Sequence, residues 1–246
     1  ISADADVLLS NFEVSVSSTR NVTTKRIYRS DPNGNYRFVA DIALATATYT
    51  DTLTDSQLGE TWKTEDYEQP PEDLKGLTVM AGGIFAGFIN NSLYFSEPFQ
   101  PHAWPTKYNL TVDQDIVGLA STGNTLVVAT KGNPYIVVGH HPNTFSQTKL
   151  ELEQSCVSKK SVIDVGNSVC YASPVGLVRV QGGVGQLITQ HLYTKDEWFD
   201  LTPSSMICEL YDRSIIMAMT NDTLTLDLDD RGVGLTTIST DVRRLI

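Results

Sequence analysis

The sequence predicts an all-β fold, most of it a propeller-like array of four-stranded blades, on three observations. Gly82-Gly83, Gly123-Asn124, Gly166-Asn167 and Asp212-Arg213 each precede an apolar run: IFAGFI, TLVVAT, SVCYAS and SIIMAM. Taking Phe85, Leu126, Val169 and Ile215 as equivalent positions, the runs recur at offsets of 41, 43 and 46 residues. Each copy also holds one extended segment before its run and two after it. Short strands in fours, about 40 to 50 residues apart, are the pattern of propeller blades rather than of a sandwich. The repetition has a physical cause. A four-stranded meander cannot bury both faces by itself, so a neighbouring copy has to cover it.

Taken in order, residues 1–24 are rich in Ser, Thr, Asp and Asn, and the alternation Phe12-Glu-Val14-Ser-Val16 predicts one strand. Lys25 to Arg29 alternates, Asp31-Pro-Asn-Gly34 is a turn, Tyr36 to Ile42 runs extended, and Ala47 to Thr52 follows as a further strand. The order IYRS, Gly-containing turn, YRFVADI and TYTDT resembles the middle strands of a fibronectin type III module over residues 22–53. Residues 1–53 are therefore expected to form a small, partial fibronectin-III-like β segment. Residues 54–73 are acidic and end in Gln69-Pro-Pro-Glu-Asp73, which reads as a linker.

The propeller-like domain is placed at residues 74–246. Its blades open on LTVM, IVGLA, VIDV and MICEL. Second turns stand at Asn90-Asn91, Gly132-Asn133, Pro174-Val-Gly176 and Asn221-Asp222, followed by LYF, YIVV, LVRV and LTLDL. Fourth strands are expected around Asn109 to Val112, Lys149 to Leu152, Gln186 to Ile188 and Leu235 to Ile238. Propellers have about 4 to 8 blades, so either the ring is small, or a longer chain supplies more blades, or symmetry-related copies do; a start on Ile rather than Met favours the longer chain.

Composition narrows the function. The 29 acidic and 18 basic residues give a net charge of -11, which opposes tight, sequence-independent binding to phosphates. It does not oppose a surface past which nucleic acid slides without sticking. No apolar run approaches the roughly 20 residues that span a bilayer, so membrane insertion is not expected. Cys156, Cys170 and Cys208 are an odd set without CxxC spacing and predict small buried hydrophobes, neither a zinc site nor a disulfide framework. No basic stretch followed by an apolar one opens the chain, so no signal peptide is read.

Between the first two blades lies Leu93-Tyr-Phe-Ser-Glu-Pro-Phe-Gln-Pro-His-Ala-Trp-Pro105, dense in aromatics and prolines. Prolines fix φ and remove donors, and the aromatics supply apolar area, so a rigid packed connection is expected. Phe95-Ser96-Glu97-Pro98 and Pro101-His102-Ala-Trp104-Pro105 resemble the FSEPxxPHAWP motif of a family of tailed-bacteriophage virion proteins, in which a fibronectin-like segment leads into a propeller-like region. The likeness continues through Ile116 to Leu119, Asn124 to Val128, Gly132 to Tyr135, Lys149 to Leu152 and Tyr171 to Leu177, covering roughly residues 22–200. The resemblance implies a virion location and a structural role resembling podophage tail nozzle or hub subunits. Its implied partners are further copies of the chain and other tail proteins, with DNA passing transiently through a ring. A carbohydrate-binding module for host attachment is the alternative, since both sandwiches and propellers expose aromatics that stack on sugars.

No catalytic, metal or cofactor site is read. Asp227-Leu-Asp229-Asp230-Arg-Gly232 and Asp31-Pro-Asn33-Gly-Asn35 carry clustered oxygens without the spacing of a calcium loop, and both read as turns. His140 and His141 are adjacent on extended chain and point to opposite faces, while His102 and His191 lie elsewhere. Ser173 has no Gly-x-Ser-x-Gly context and no base partner, and Gly182-Gly-Val-Gly185 reads as a blade turn. A propeller glycosidase needs two carboxylates facing one pocket, which sequence spacing does not place. The sequons at Asn21, Asn90, Asn109 and Asn221 are expected of an Asn/Thr-rich β protein.

Overall fold

The computed structural model describes residues 6–15, 21–64, 66–220, 222–227 and 234–237. It divides into two compact units, Ile1–Glu65 and Asp66–Ile246. Both are built from antiparallel strands.

In the first unit β1 (Val7–Leu9) pairs with β4 (Tyr49–Asp51), and β2 (Thr24–Ser30) pairs with β3 (Tyr36–Ala43). The β2–β3 turn forms because Asp31 accepts the backbone N–H groups of Asn33 and Asn35 on one carboxylate oxygen, both at 2.9 Å. Those bonds, the Asn35 one foremost, hold the Asp31 carboxyl below its usual range. Gly34 takes the left-handed conformation that the turn demands (φ +86°). Ile27, Val39 and Leu58 form the core, with Phe12, Tyr49 and Leu53 packed around it. Two arginines on the inner face tie the hairpin to the following chain. Arg29 reaches Asp51 (2.8 Å), the Leu53 carbonyl (3.0 Å) and Asp55 (3.1 Å), and Arg37 reaches the Leu58 and Gly59 carbonyls.

The strand expected at 12–16 lies earlier, at Val7–Leu9. Asn11 sits at φ +63°, which ends an extended run, and Val16 falls outside the described residues. The stretch 54–73 divides between the units. Asp55–Gln57 makes a 3₁₀ turn and Leu58 is buried in the first unit, whereas the Glu68 carbonyl accepts the Trp104 N–H in the second.

The second unit is four antiparallel meanders in sequence. The first blade is β5 (Lys75–Met80), β6 (Ile84–Ile89), β7 (Ser92–Phe95) and β8 (Leu110–Thr111). The second is β9 (Ile116–Thr122), β10 (Thr125–Thr130), β11 (Tyr135–Val138) and β12 (Ser146–Lys149). The third is β13 (Ile163–Asp164), β14 (Val169–Ser173), β15 (Gly176–Gln181) and β16 (Val184–Leu187). The fourth is β17 (Ile207–Tyr211), β18 (Ser214–Ala218), β19 (Thr223–Asp227) and β20 (Gly234–Thr237). The first strands β5, β9, β13 and β17 lie beside one another in order, so the blades converge on that edge. The Gly and Asp turns serve as expected, with Gly123 (φ +55°) and Asp212 (φ +56°) in the left-handed region.

Hydrophobic clusters lie between successive blades. Leu126 and Val128 of β10 face the first blade's Ile84, Phe88, Leu93 and Phe95, while Val127 and Ala129 face the third blade's Val169, Tyr171, Val178 and Val180. Cys170, Ala172 and Leu177 then meet Cys208, Ile215, Met217 and Leu226 of the fourth. A strand buried on both faces needs an unbroken apolar run, which is why TLVVAT and VCYAS do not alternate. On β5 the alternation leaves Leu77 and Val79 exposed, on the sheet face turned away from the second blade.

Two outer-strand positions differ from expectation. β12 is Ser146–Lys149 rather than Lys149 to Leu152, because Leu150 and Leu152 pack into the core between the second and third blades and leave the edge to polar residues. β16 likewise starts two residues early, at Val184. The one α-helix among the described residues, α1 (Lys195–Asp200), joins the last two blades. Thr194 caps it by accepting the Glu197 N–H, and Glu197 accepts the Thr194 N–H at 2.8 Å. No helix of the described residues is long and apolar enough to cross a membrane.

Candidate functional site

The motif run connects β7 to β8, and its residues are placed by bonds to the strands on either side. Phe95 is fully buried in the first interblade core, edge-on to Phe145 with centroids 4.9 Å apart. Ser96, also fully buried, donates its N–H to the Phe85 carbonyl, and its Oγ accepts the Phe85 N–H, both at 2.9 Å. The same hydroxyl donates to the Glu97 carbonyl (3.0 Å). One small hydroxyl thus both donates and accepts inside the core.

Beyond Ser96 the chain closes on itself. Glu97 and Ala103 are joined by an N–H to carbonyl bond of 2.8 Å, and the Gln100 and Ala103 N–H groups donate to the Glu97 and Gln100 carbonyls. Trp104 is buried; its indole N–H donates to the Pro101 carbonyl at 2.9 Å and its backbone N–H to Glu68. Pro98 is half-buried and Pro105 is buried, the latter preceding the 3₁₀ turn Thr106–Tyr108. Pro101 and His102 are exposed, with the His102 ring meeting the edge of Tyr67 at 6.1 Å. Phe99 adopts φ +58° and is 75% exposed, its ring lying against Gly83. A Cβ on Gly83 would approach that ring to 2.5 Å and would sit at φ +67°, so a larger residue there displaces the exposed ring and strains the backbone.

Glu97 is the electrostatic centre of the loop. The buried Tyr108 phenol donates to Oε1 at 2.7 Å, and Oε2 lies 3.8 Å from His141 Nε2. His141 also meets Tyr108 edge to face, with centroids 5.8 Å apart. Burial first, and the Glu97 bond second, raise the Tyr108 phenol far above its ordinary value. A phenol kept protonated donates a hydrogen bond and is no base at neutral pH. The geometry therefore fixes the loop against the second blade.

The remaining candidates separate. His140 Nδ1 lies 3.1 Å from Asn124 Nδ2, while His141 Nδ1 accepts the Asn143 N–H at 3.2 Å, so the neighbours serve different partners. His191 is exposed beside Gln190. Ser173 is fully buried and donates to the Gly176 carbonyl within its own turn. The Asp227–Gly232 candidate continues beyond Asp227 outside the described residues, as does the sequon at Asn221. Cys156, Cys170 and Cys208 are buried free thiols, and burial pushes the first two up to about 12 and the third higher still. Among the described residues no group of three or more His, Cys, Asp or Glu side chains is placed to hold a metal ion.

Sequence reasoning found the motif but missed Tyr108 and His141 as its partners. His141 comes from the connection between β11 and β12, and no local pattern links it to Glu97. The sequence signal for α1 is the capping box Thr194-x-x-Glu197.

No protein-family model matches the chain, and no curated protein matches it. Similar solved structures include a chain of the S. cerevisiae assembly of Dbp5 with Nup159, Gle1, IP6 and ADP, at 11% identity and a TM-score of 0.45. That match covers 72% of this chain and 47% of the other, so this chain spans about half its length. The AfRom2 CNH domain matches at 8% identity and a TM-score of 0.44, covering 96% of this chain and 78% of that one. Citrobacter koseri AztD matches at 14% identity and a TM-score of 0.44, covering 90% and 58%. Scores at this level carry no argument about function.

Proposed function

We propose that the chain is a structural subunit of a bacteriophage tail, of the nozzle or hub type, forming part of an oligomeric ring through which the genome passes. The run from Phe95 to Pro105 carries the reading. Its two halves resemble a virion-protein motif, its backbone and Ser96 bond the loop to its own blade, and Glu97 with Tyr108 meets His141 of the second blade. Two further features support it. A net charge of -11 suits a wall past which DNA moves without being trapped. Leu77 and Val79 are 62% and 51% exposed on a face that continues the series of interblade interfaces, and the reading assigns that face to a second copy of the chain, packed head to tail.

Mass spectrometry and electron microscopy of purified particles test the proposal, and absence of the chain from them overturns it. In solution, Leu77→Asp with Val79→Asp is expected to lower the oligomer mass measured by light scattering. An unchanged mass removes the assignment of that face.

A further inference from the structure

The first unit carries a feature that packing alone leaves unexplained. The pairs Arg26 with Asp41 and Tyr28 with Phe38 place these four side chains on one face of the β2–β3 hairpin, opposite the buried Ile27. Gly59 to Trp62 returns along β3, with the Phe38 N–H donating to the Glu60 carbonyl and the Trp62 N–H to the Tyr36 carbonyl. That return lays Trp62 on Tyr28, with rings stacked at 5.6 Å, and sets Tyr36 edge-on to Trp62 at 5.9 Å. Phe38 meets Tyr28 edge-on at 6.2 Å. The Trp62 indole N–H donates to Thr64, which fixes the ring.

Beside this aromatic face is a cavity of about 320 Å³ lined by Arg26, Tyr28, Phe38, Glu60, Thr61 and Lys63. Its size is at the low end of ligand sites, which run from about 300 to 1,000 Å³, and suits one or two sugar rings. Its charges are matched: Arg26 binds Asp41 through two bonds of 2.8 Å, and Lys63 lies 3.0 Å from Glu60. A balanced wall gives no preference for a strongly ionic ligand. Paired donors and acceptors instead suit hydroxyl groups, which do both, and flat aromatic surface suits the apolar face of a pyranose. A proline-rich peptide would use the aromatics and leave both ion pairs without a role.

We propose that this cavity binds a neutral carbohydrate, with the sugar ring against Tyr28 and Phe38 and its hydroxyls on Arg26, Glu60, Thr61 and Lys63. The site does not depend on the tail assignment, which is tested by the content of the virion, so either reading can fail alone.

Trp62 provides the readout. Trp104 and Trp198 are buried (4% and 0% exposed), so a ligand in the cavity perturbs Trp62 emission foremost. The full chain is titrated with methyl glycosides of glucose, galactose, mannose and N-acetylglucosamine, and applied to a glycan array. At least one glycan is expected to give a saturable emission change, weakened about tenfold or more in Tyr28→Ala. Lys63→Gln, which is exposed, weakens it several-fold with an unchanged unfolding midpoint and serves if Tyr28→Ala fails to fold. Three outcomes overturn the proposal: no saturable response to any glycan, equal binding by wild type and both variants, or binding of a proline-rich peptide in place of glycans.

Discussion

Tyr108→Phe removes one hydroxyl and nothing else from the motif loop. The ring stays in the first interblade core, where Tyr108 is 4% exposed, so no cavity forms. The lost bond is the 2.7 Å donation to Glu97 Oε1. Hydrogen bonds to charged acceptors contribute about 1.5–3 kcal/mol. Glu97 retains 17% side-chain exposure, so water can take the vacated position, which sets the expected loss at the lower end, about 1.5–2 kcal/mol. For a chain of this size that lowers Tm by roughly 3–8 °C. Urea unfolding gives the free energy, and a cycle with Glu97→Gln isolates the pair. A loss below about 0.5 kcal/mol, or an equal loss in both backgrounds, would refute the reasoning. The pH dependence supplies a second check. The folded phenol titrates above the unfolded value of about 10, so its contribution is complete below that pH and is lost as pH climbs through the folded value. Wild type should therefore lose stability above pH 10 more steeply than Tyr108→Phe.

Trp198 is fully buried between the third and fourth blades and donates its indole N–H to the Ser173 carbonyl at 2.9 Å. Trp198→Ala is expected to cost about 3–5 kcal/mol by urea unfolding, and Trp198→Phe distinctly less. In the first unit, Asp51→Ala strips Arg29 of its most buried partner. Arg29 keeps Asp55, the Leu53 carbonyl and 24% exposure, so the cost should fall to about 2–3 kcal/mol, below that of a fully buried pair, as read by thermal unfolding. The three buried cysteines should give no reaction with a thiol reagent at pH 8 in the folded chain and full reaction in urea. Rapid labelling of the native protein would contradict their placement.

Much of the fold is legible in the sequence because the blades repeat a local device. A Gly or Asp at a left-handed turn, then a β-branched or apolar run, marks the second strand of each copy, and the structure places β6, β10, β14 and β18 there. Outer strands are less legible. Ser146–Lys149 is wholly exposed and carries no apolar alternation, whereas Leu150 and Leu152 catch the eye because they belong to the core. Val7–Leu9 is too short to alternate, and its partner β4 is far along the chain. The motif loop was legible as a rigid connection, since its prolines and aromatics announce packing. Its tie to Tyr108 was within reach in sequence, but the His141 contact depends on how two blades meet.

The contrast between the two aromatic groups decides where binding is to be sought. Phe95 and Trp104 stand close together in sequence, and the fold buries both, satisfies the indole of Trp104 and closes the backbone around them. Tyr28, Tyr36, Phe38 and Trp62 are scattered through the first unit, yet the hairpin and the returning segment assemble them beside an open cavity with charged groups at its wall. Burial consumes the first group's apolar surface, Phe95 in the core between the first two blades and Trp104 within the connection itself. The second group keeps Tyr36 42% exposed and leaves Tyr28 and Phe38 facing the cavity, area that a ligand can still remove from water. A dense run of aromatics and prolines is here spent on packing, whereas dispersed aromatics brought to one surface leave area open to a ligand.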